Sequence, residues 1–577
     1  MTVRSDYKPR RKRRIAATTV VSVISVVSLS ACSTLPRDTN PQVLRSFDPK
    51  PETQPEVGPT PGQEPDLLVR DFFAAAAIPA ADYGAARSFL SPEAAQTWKP
   101  GKSILVVNNI DLTTQSGSTA NGQAFNVRGN VIGQLSAGGS YMPENSAFEA
   151  TVRVQRVDGE WRITDLPDGV VIDRSGMRNH YEPQPLYFYE QTGKALANDR
   201  RWLYSGGNPL DGELIALLLE GPSQQLAPAT VSLLPPEAEF AGAEDGVYRF
   251  TGLHSMNSDD RLRFAAQLVW TLSHAGVQAP YRVTADGSPL IENLPEMTTD
   301  DFAEFNPRSA STTVAPLYAV NQGNILRVAS NSATPIDGRL GSIGNVESAD
   351  ISAEGTVAAV IREQESSKLA IGTIGGEDID VLDAETISRP TFELNGQGVW
   401  VVADGDQLLR VMRSHQTGEV TISEVNTKAL ESIGEEISVI RLSYTGVRIA
   451  MIINGNVYIG TIARQASGEF AVNAVYNPAI ELGGTALSLD WQPDGSLIVG
   501  TSSSDSPVWR VELDGSSVNT LPSGNVAVPV VSVVSSPSTF YLTDPHAMLQ
   551  MPIEADSPYW REVPGLQGMR SSPIVAD

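Results

Sequence analysis

The chain has 577 residues, 41% of them hydrophobic, a single cysteine and a formal net charge of −25. Residues 1–31 hold seven basic side chains and one acidic, so the remainder carries −31. That charge repels phosphate backbones, so no nucleic-acid partner is expected. One cysteine permits neither an intrachain disulfide nor a thiolate metal cluster, and the length predicts about three domains.

Arg4, Lys8, Arg10, Arg11, Lys12, Arg13 and Arg14 form a positive block, and an apolar stretch follows from Ile15 to Leu29. This stretch has the length of a signal sequence's apolar region and is short for a membrane span. Leu29-Ser30-Ala31-Cys32 then resembles the lipobox of bacterial lipoproteins. The resemblance implies a diacylglyceryl thioether on Cys32, cleavage between Ala31 and Cys32, and acylation of the new N-terminus. Two or more acyl chains hold a protein stably at a membrane, where one chain is marginal. Residues 1–31 are therefore read as a lipoprotein signal peptide, and the mature chain as anchored on the extracytoplasmic face of the cell membrane. An ordinary signal peptide or an uncleaved anchor with an unmodified cysteine is the competing reading. No later segment reaches the ~18 apolar residues of a span.

Residues 32–64 are polar and rich in proline, including Pro51, Pro55, Pro59 and Pro61. Their composition predicts a partly extended linker. A first α+β domain is expected over 65–180. It opens with a helix from Pro65 that places Leu67, Leu68, Phe72 and Phe73 on one face, then a short helix over Tyr83–Leu90 and a third from Ser91. Strands are predicted at Ile104–Val107, Phe125–Leu135, Phe148–Val157 and Glu160–Ile163, the last two joined by an Asp158-Gly159 turn.

A second α+β domain is expected over 181–300. It contains a strand at Leu186–Tyr189, helices at Asp211–Leu219 and Asp259–Leu272, and a strand at Tyr248–Leu253. Leu217-Leu218-Leu219-Glu220-Gly221-Pro222, Phe264–Val269 and Val283-Thr284-Ala285-Asp286-Gly287 resemble the GerMN domain of sporulation and germination proteins. That resemblance supplies no catalytic residues.

From 311 to 577 short strands recur with turns at Glu354-Gly355, Asn395-Gly396, Thr445-Gly446, Asp494-Gly495 and Pro537-Ser538. Repeats of ~40–50 residues with four strands each predict propeller blades. Leu317–Val328 lacks an inner strand, and Ser572–Val575 is a strand with nothing to follow it. A blade mixed from both ends would close a ring of six and leave no exposed edge. A β-sandwich or solenoid is the alternative.

No catalytic or metal-binding set emerges, and no enzyme or cofactor is expected. The histidines His180, His254, His274, His415 and His546 are scattered. Gly101-Lys102-Ser103 imitates the end of a phosphate loop, but Gln96 stands where the first glycine belongs. The acids Asp378, Asp380 and Asp383 alternate along a strand and read as a solvated face, while Trp400 and Trp491 read as blade packing. Carboxylates from different blades could still build a hydrolase that spacing does not reveal.

The order of lipobox, α+β domain, GerMN-like domain and terminal propeller resembles the actinobacterial LpqB lipoprotein family. The resemblance implies a partner, the extracellular domain of a sensor kinase like MtrB of the MtrAB two-component system, and a part in envelope homeostasis and division. Binding of envelope glycan or peptidoglycan, or its hydrolysis, is the alternative. Cys32→Ser presents no thiolate to the lipid donor, so it should accumulate as precursor or be released. A processed, acylated Cys32→Ser protein in the detergent phase would sink the lipobox reading.

Overall fold

The computed structural model describes residues 58–117, 119–307, 315–414, 417–434, 436–554 and 558–576. Cys32, Ala31 and most of the proline-rich segment lie outside the described residues. Residues 58–64, assigned to the linker on composition, instead form a turn against the first domain, with Gly62 N–H donating to Glu160 at 2.9 Å. No helix among the described residues is long and apolar enough to cross a membrane.

The first domain opens with helix Pro65–Ala75, which buries Leu68, Val69, Phe72 and Phe73. Leu67 points outward, 49% exposed, contrary to expectation. It lies one position before Leu68, and the ~100° step between consecutive helical residues carries it out of the apolar stripe. The second helix runs over Ala80–Arg87 rather than Tyr83–Leu90, and Ala81, Asp82 and Tyr83 break its regular path with positive φ. Ser91 caps the third helix, Pro92–Thr97, by accepting from Ala94 N–H. These helices cover a six-stranded sheet that includes Ile104–Val107, Gly122–Leu135, Tyr141–Val157 and Glu160–Asp165. Asp158 (φ 51°) and Gly159 (φ 85°) make the tight turn between the last two. Val170–Asp173 adds a parallel edge beside Ile104–Val107.

The second domain has a two-stranded hairpin, Tyr181–Tyr189 with Leu196–Tyr204, and a separate four-stranded sheet that includes Val247–Thr251 and Arg282–Ala285. Helices Leu210–Glu220 and Ser258–His274 share one apolar core with Leu186, Phe188, Leu196 and Phe250. The first helix ends at Gly221, whose φ of 103° suits glycine alone. The second strand of the hairpin reads Leu-Ala-Asn-Asp-Arg-Arg-Trp-Leu-Tyr and escaped prediction.

Among the described residues, the C-terminal half consists of six four-stranded antiparallel sheets. Their second strands, such as Thr356–Arg362, Gly398–Ala403 and Arg448–Ile453, are buried at nearly every position. They are continuous apolar runs because both faces meet a neighbouring sheet. Outermost strands such as Val420–Glu424 are largely exposed and polar. Inner strands touch their neighbours around the ring, and Ser572–Val575 lies against both Val346–Ile351 and Ser532–Ser535. It completes the sheet of Leu317–Asn321, with Leu317 opposite Val575 and Val320 opposite Ser572. This is the closure expected from the two chain ends.

Ile574, 1% exposed, sits in a core with Tyr318, Val320 and Ile351. Ile574→Ala should cost about 2–5 kcal/mol, and deletion from Ser572 onward should cost more because it bares two strand edges. Unchanged thermal unfolding of the full chain after that deletion would show that the ring does not depend on this strand.

Candidate functional site

The recurring turns between first and second strands converge on one mouth of the propeller. Residues from Ser352 to Glu354, Glu393 to Gly396, Ser443 to Thr445, Gln492 to Gly495, and Ser535 to Pro537 line a cavity of about 470 Å³ there. Tyr187, Leu196 and Asn198 of the second domain's hairpin line it from another side. The site thus belongs to two domains.

Four charged side chains from successive inner strands or their approaches line this cavity: Asp350, Arg389, Arg441 and Asp490. Arg389 lies 3.9 Å from Asp350, and Arg441 lies 3.7 Å from Asp490. Arg441 is the most buried, with 6% of its side chain exposed. Its Nη1 donates to the Pro390 carbonyl at 2.8 Å, and Arg389 Nη2 donates to the Pro573 carbonyl at 3.1 Å. Asp490 accepts from Ser535 N–H at 2.9 Å. Burial raises the Asp350 and Asp490 carboxyls above the ordinary range, and Arg441 with Arg389 pulls both back. Neighbouring carboxylates are therefore held in a balanced ring of charge. Asp350, Arg441 and Asp490 occupy matching places in the repeated segments, two residues before Ser352, Ser443 and Gln492. A charge embedded in otherwise apolar repeats was the signal that could have revealed them.

The hairpin holds the second domain to this mouth by alternation. Side chains on one face of Leu196–Tyr204 reach the propeller: Arg200 pairs with Glu512 and lies 3.5 Å from Asp514, and Trp202 Nε1 donates to Asp514 at 2.9 Å. Arg448 Nη2 donates to the Asn198 carbonyl at 2.7 Å. On the opposite face, Asp199 and Arg201 pair at 2.8 Å, each about 95% buried. Asp199 also accepts from Ser223 N–H, and Arg201 donates to the carbonyls of Gly138 and Gly221. The first domain joins through Gly139, whose carbonyl accepts from Trp202 N–H at 2.7 Å. A Cβ on Gly139 would stand 2.5 Å from the Trp202 carbonyl oxygen, so only glycine fits this approach.

The other candidates resolve differently. Trp400 is buried, with Nε1 donating to Glu393 at 2.8 Å. Trp491 lines the cavity and donates to the Arg441 carbonyl at 2.9 Å. The acidic run proves to be an ion-pair site, because Arg339 binds Asp378 at 3.0 Å and Asp380 at 2.6 Å. Lys102 is exposed beside the turn at Gly101. His274 Nδ1 is 2.9 Å from the Tyr187 hydroxyl. No group of three or more His, Cys, Asp or Glu side chains among the described residues could hold a metal ion.

Three family models together match most of the chain. They are the Lipoprotein LpqB N-terminal domain over residues 58–178, the Sporulation and spore germination domain over 185–291, and the Lipoprotein LpqB beta-propeller domain over 323–576. Lipoprotein LpqB of Corynebacterium diphtheriae is 40% identical over 571 residues, covering 97% of this chain and 98% of that one. The chain belongs to the LpqB lipoprotein family. Lipoprotein LpqB of Rhodococcus jostii is 34% identical, with 98% of each chain covered. The Mycobacterium tuberculosis member is 30% identical, covering 97% of this chain and 99% of that one.

In this LpqB-family chain, Arg441 faces both buried carboxylates, as Arg389 does, and is the stronger counter-charge to each. Arg441→Met should cost about 3–5 kcal/mol near neutral pH, because it removes the ion-pair partner of Asp490 and leaves both buried charges to Arg389 alone. The loss should shrink as pH falls toward 3.8, the carboxyls' ordinary value, since protonation removes the stranded charges. A pH-independent loss in chemical denaturation would contradict this account.

Proposed function

We propose that this protein is a non-catalytic binding subunit, tethered by lipid on Cys32 to the extracytoplasmic face of the cell membrane. Its partner on this reading is the extracellular domain of a sensor kinase like MtrB, and its effect is on envelope homeostasis and division. The observation that carries the binding role is the pairing of charges at the propeller mouth. Asp350 and Asp490 each face arginine, an arrangement that favours holding a shape over exchanging protons with a substrate. The kinase itself comes from family resemblance, and a lipid tether adds a reason. Two partners in one membrane meet at high effective concentration, so even a weak interface is well occupied. A net charge of −31 after residue 31 also disfavours close approach to anionic headgroups.

A second reading has its own support. Phe392, Tyr444 and Trp491 gather at the mouth, as in a site for a small envelope ligand such as a glycan. The two readings are compatible if the ligand and the kinase use different surfaces.

Deletion strains carrying lipidated or soluble protein would test the kinase reading through phosphorylation of the response regulator. Lipidated protein should change phosphorylation, and the soluble form should do so poorly. Equal phosphorylation with the protein lipidated, soluble or absent would refute kinase modulation.

A further inference from the structure

We propose that the cavity at the propeller mouth binds a small organic carboxylate, held through its anionic group by Arg448. The inference rests on the small-ligand reading, names the chemical class of that ligand, and is independent of the kinase.

Arg448 lines the cavity and is only 9% exposed. A guanidinium carries five N–H donors. Here one acceptor among the described residues meets them, the Asn198 carbonyl, 2.7 Å from Nη2. Asp199, the acid that acts on Arg448 through its charge, is paired with Arg201 at 2.8 Å. Nε and Nη1 have no protein acceptor and are not sealed from solvent, so both keep open surface. The cavity is open space that this side chain borders. Burial also holds the Arg448 pKa below the ordinary arginine value, as befits a cation short of counter-charge.

The other charges set the charge of the ligand. Asp350 and Asp490 face Arg389 and Arg441; Glu393 pairs with Arg410, and Asp494 pairs with Arg510. Of the charged groups lining the cavity, that leaves Arg448, buried, and Glu354, exposed, without an ion pair. A neutral ligand would leave the buried guanidinium uncompensated, whereas an anion offsets it. One uncompensated cation suits one negative charge; a second would find no such partner in the lining and would meet Glu354. A carboxylate brings a single charge and two oxygens that match the planar fork of a guanidinium. Phe392, Leu442 and Trp491 supply apolar surface for an attached hydrocarbon body. The volume of about 470 Å³ falls within the usual range for small-molecule sites.

The test is calorimetric titration of the full lipidated protein in nonionic detergent micelles, blanked against micelles alone, at about pH 8, where a phosphate monoester is dianionic. The probes are 3-phenylpropanoate, its neutral counterpart 3-phenylpropanamide, and phenyl phosphate. The carboxylate should bind about tenfold more tightly than the amide, as a charge-assisted bond requires, and more tightly than the phosphate. Arg448→Met should remove that advantage over the amide. Glu354→Gln, at an exposed turn, should tighten carboxylate binding about two- to fourfold at low ionic strength and less at about 0.5 M salt. If melting shows that Arg448→Met is unfolded, Glu354→Gln decides alone. Equal binding of the amide overturns the carboxylate chemistry while leaving the small-ligand reading in place. Tighter binding of phenyl phosphate overturns the single-charge assignment. Carboxylate binding unaffected by a folded Arg448→Met, or by Glu354→Gln at low salt where that variant decides, overturns the inference. No binding by any probe up to about 10 mM overturns it and removes support from the small-ligand reading as well.

Discussion

Residues 198–202 alternate across one strand, and three domains are joined through that alternation. Arg200 and Trp202 reach Glu512 and Asp514 on the propeller, while Asp199 and Arg201 turn inward to Ser223, Gly138 and Gly221. A one-residue slip would exchange the two sets, stranding two guanidinium groups and a carboxylate away from their partners. The register of a single hairpin therefore decides where the first domain, the second domain and the propeller mouth stand. The hairpin also divides its apolar residues, with Tyr181 and Trp202 in the first core and Leu186, Phe188 and Leu196 in the second.

The propeller obeys the opposite rule along its second strands. These bury nearly continuous apolar runs, so packing between sheets supplies cohesion. Four of the propeller's buried charges, Asp350, Arg389, Arg441 and Asp490, gather at the mouth and balance one another. Buried ion pairs of this kind are poor sources of net stability compared with apolar replacements, yet breaking one partner is expensive. The ring therefore constrains what the mouth can become: its charges cannot be altered singly.

Elements governed by local chemistry were legible in the sequence. The Asp158-Gly159 hairpin, the Ser91 cap and the five propeller turns each announced themselves through residues that a particular backbone shape requires. The pairing of Ser572–Val575 with Leu317–Asn321 followed from two incomplete ends needing each other. Leu196–Tyr204 was not legible, because charged residues fill what is usually the exposed half of a strand, and their partners lie about 250 to 310 positions away. Arg339 and the acids at 378 and 380 pair over shorter separations of 39 and 41 positions, which spacing alone does not reveal. Leu67 and Tyr83 failed for a local reason, one a step outside the helical stripe and the other in a left-handed turn. At the mouth, four of the five turns were visible from their glycines, but the charge ring became visible only once the blades stood side by side.

The ring's last strand is also the last described segment to be made. A ribosome releases Leu317–Asn321 more than 250 residues before Ser572–Val575, and during that interval the first sheet waits with an open edge. Earlier domains can settle as they emerge, but the propeller acquires its final form only once residues 572–575 have emerged. A stop just before residue 572 is then not a minor trimming. It yields a chain that holds every other strand of the ring and still displays the sticky edge that an intact ring conceals, which makes the codons for residues 572–575 a checkpoint on the sheets before them.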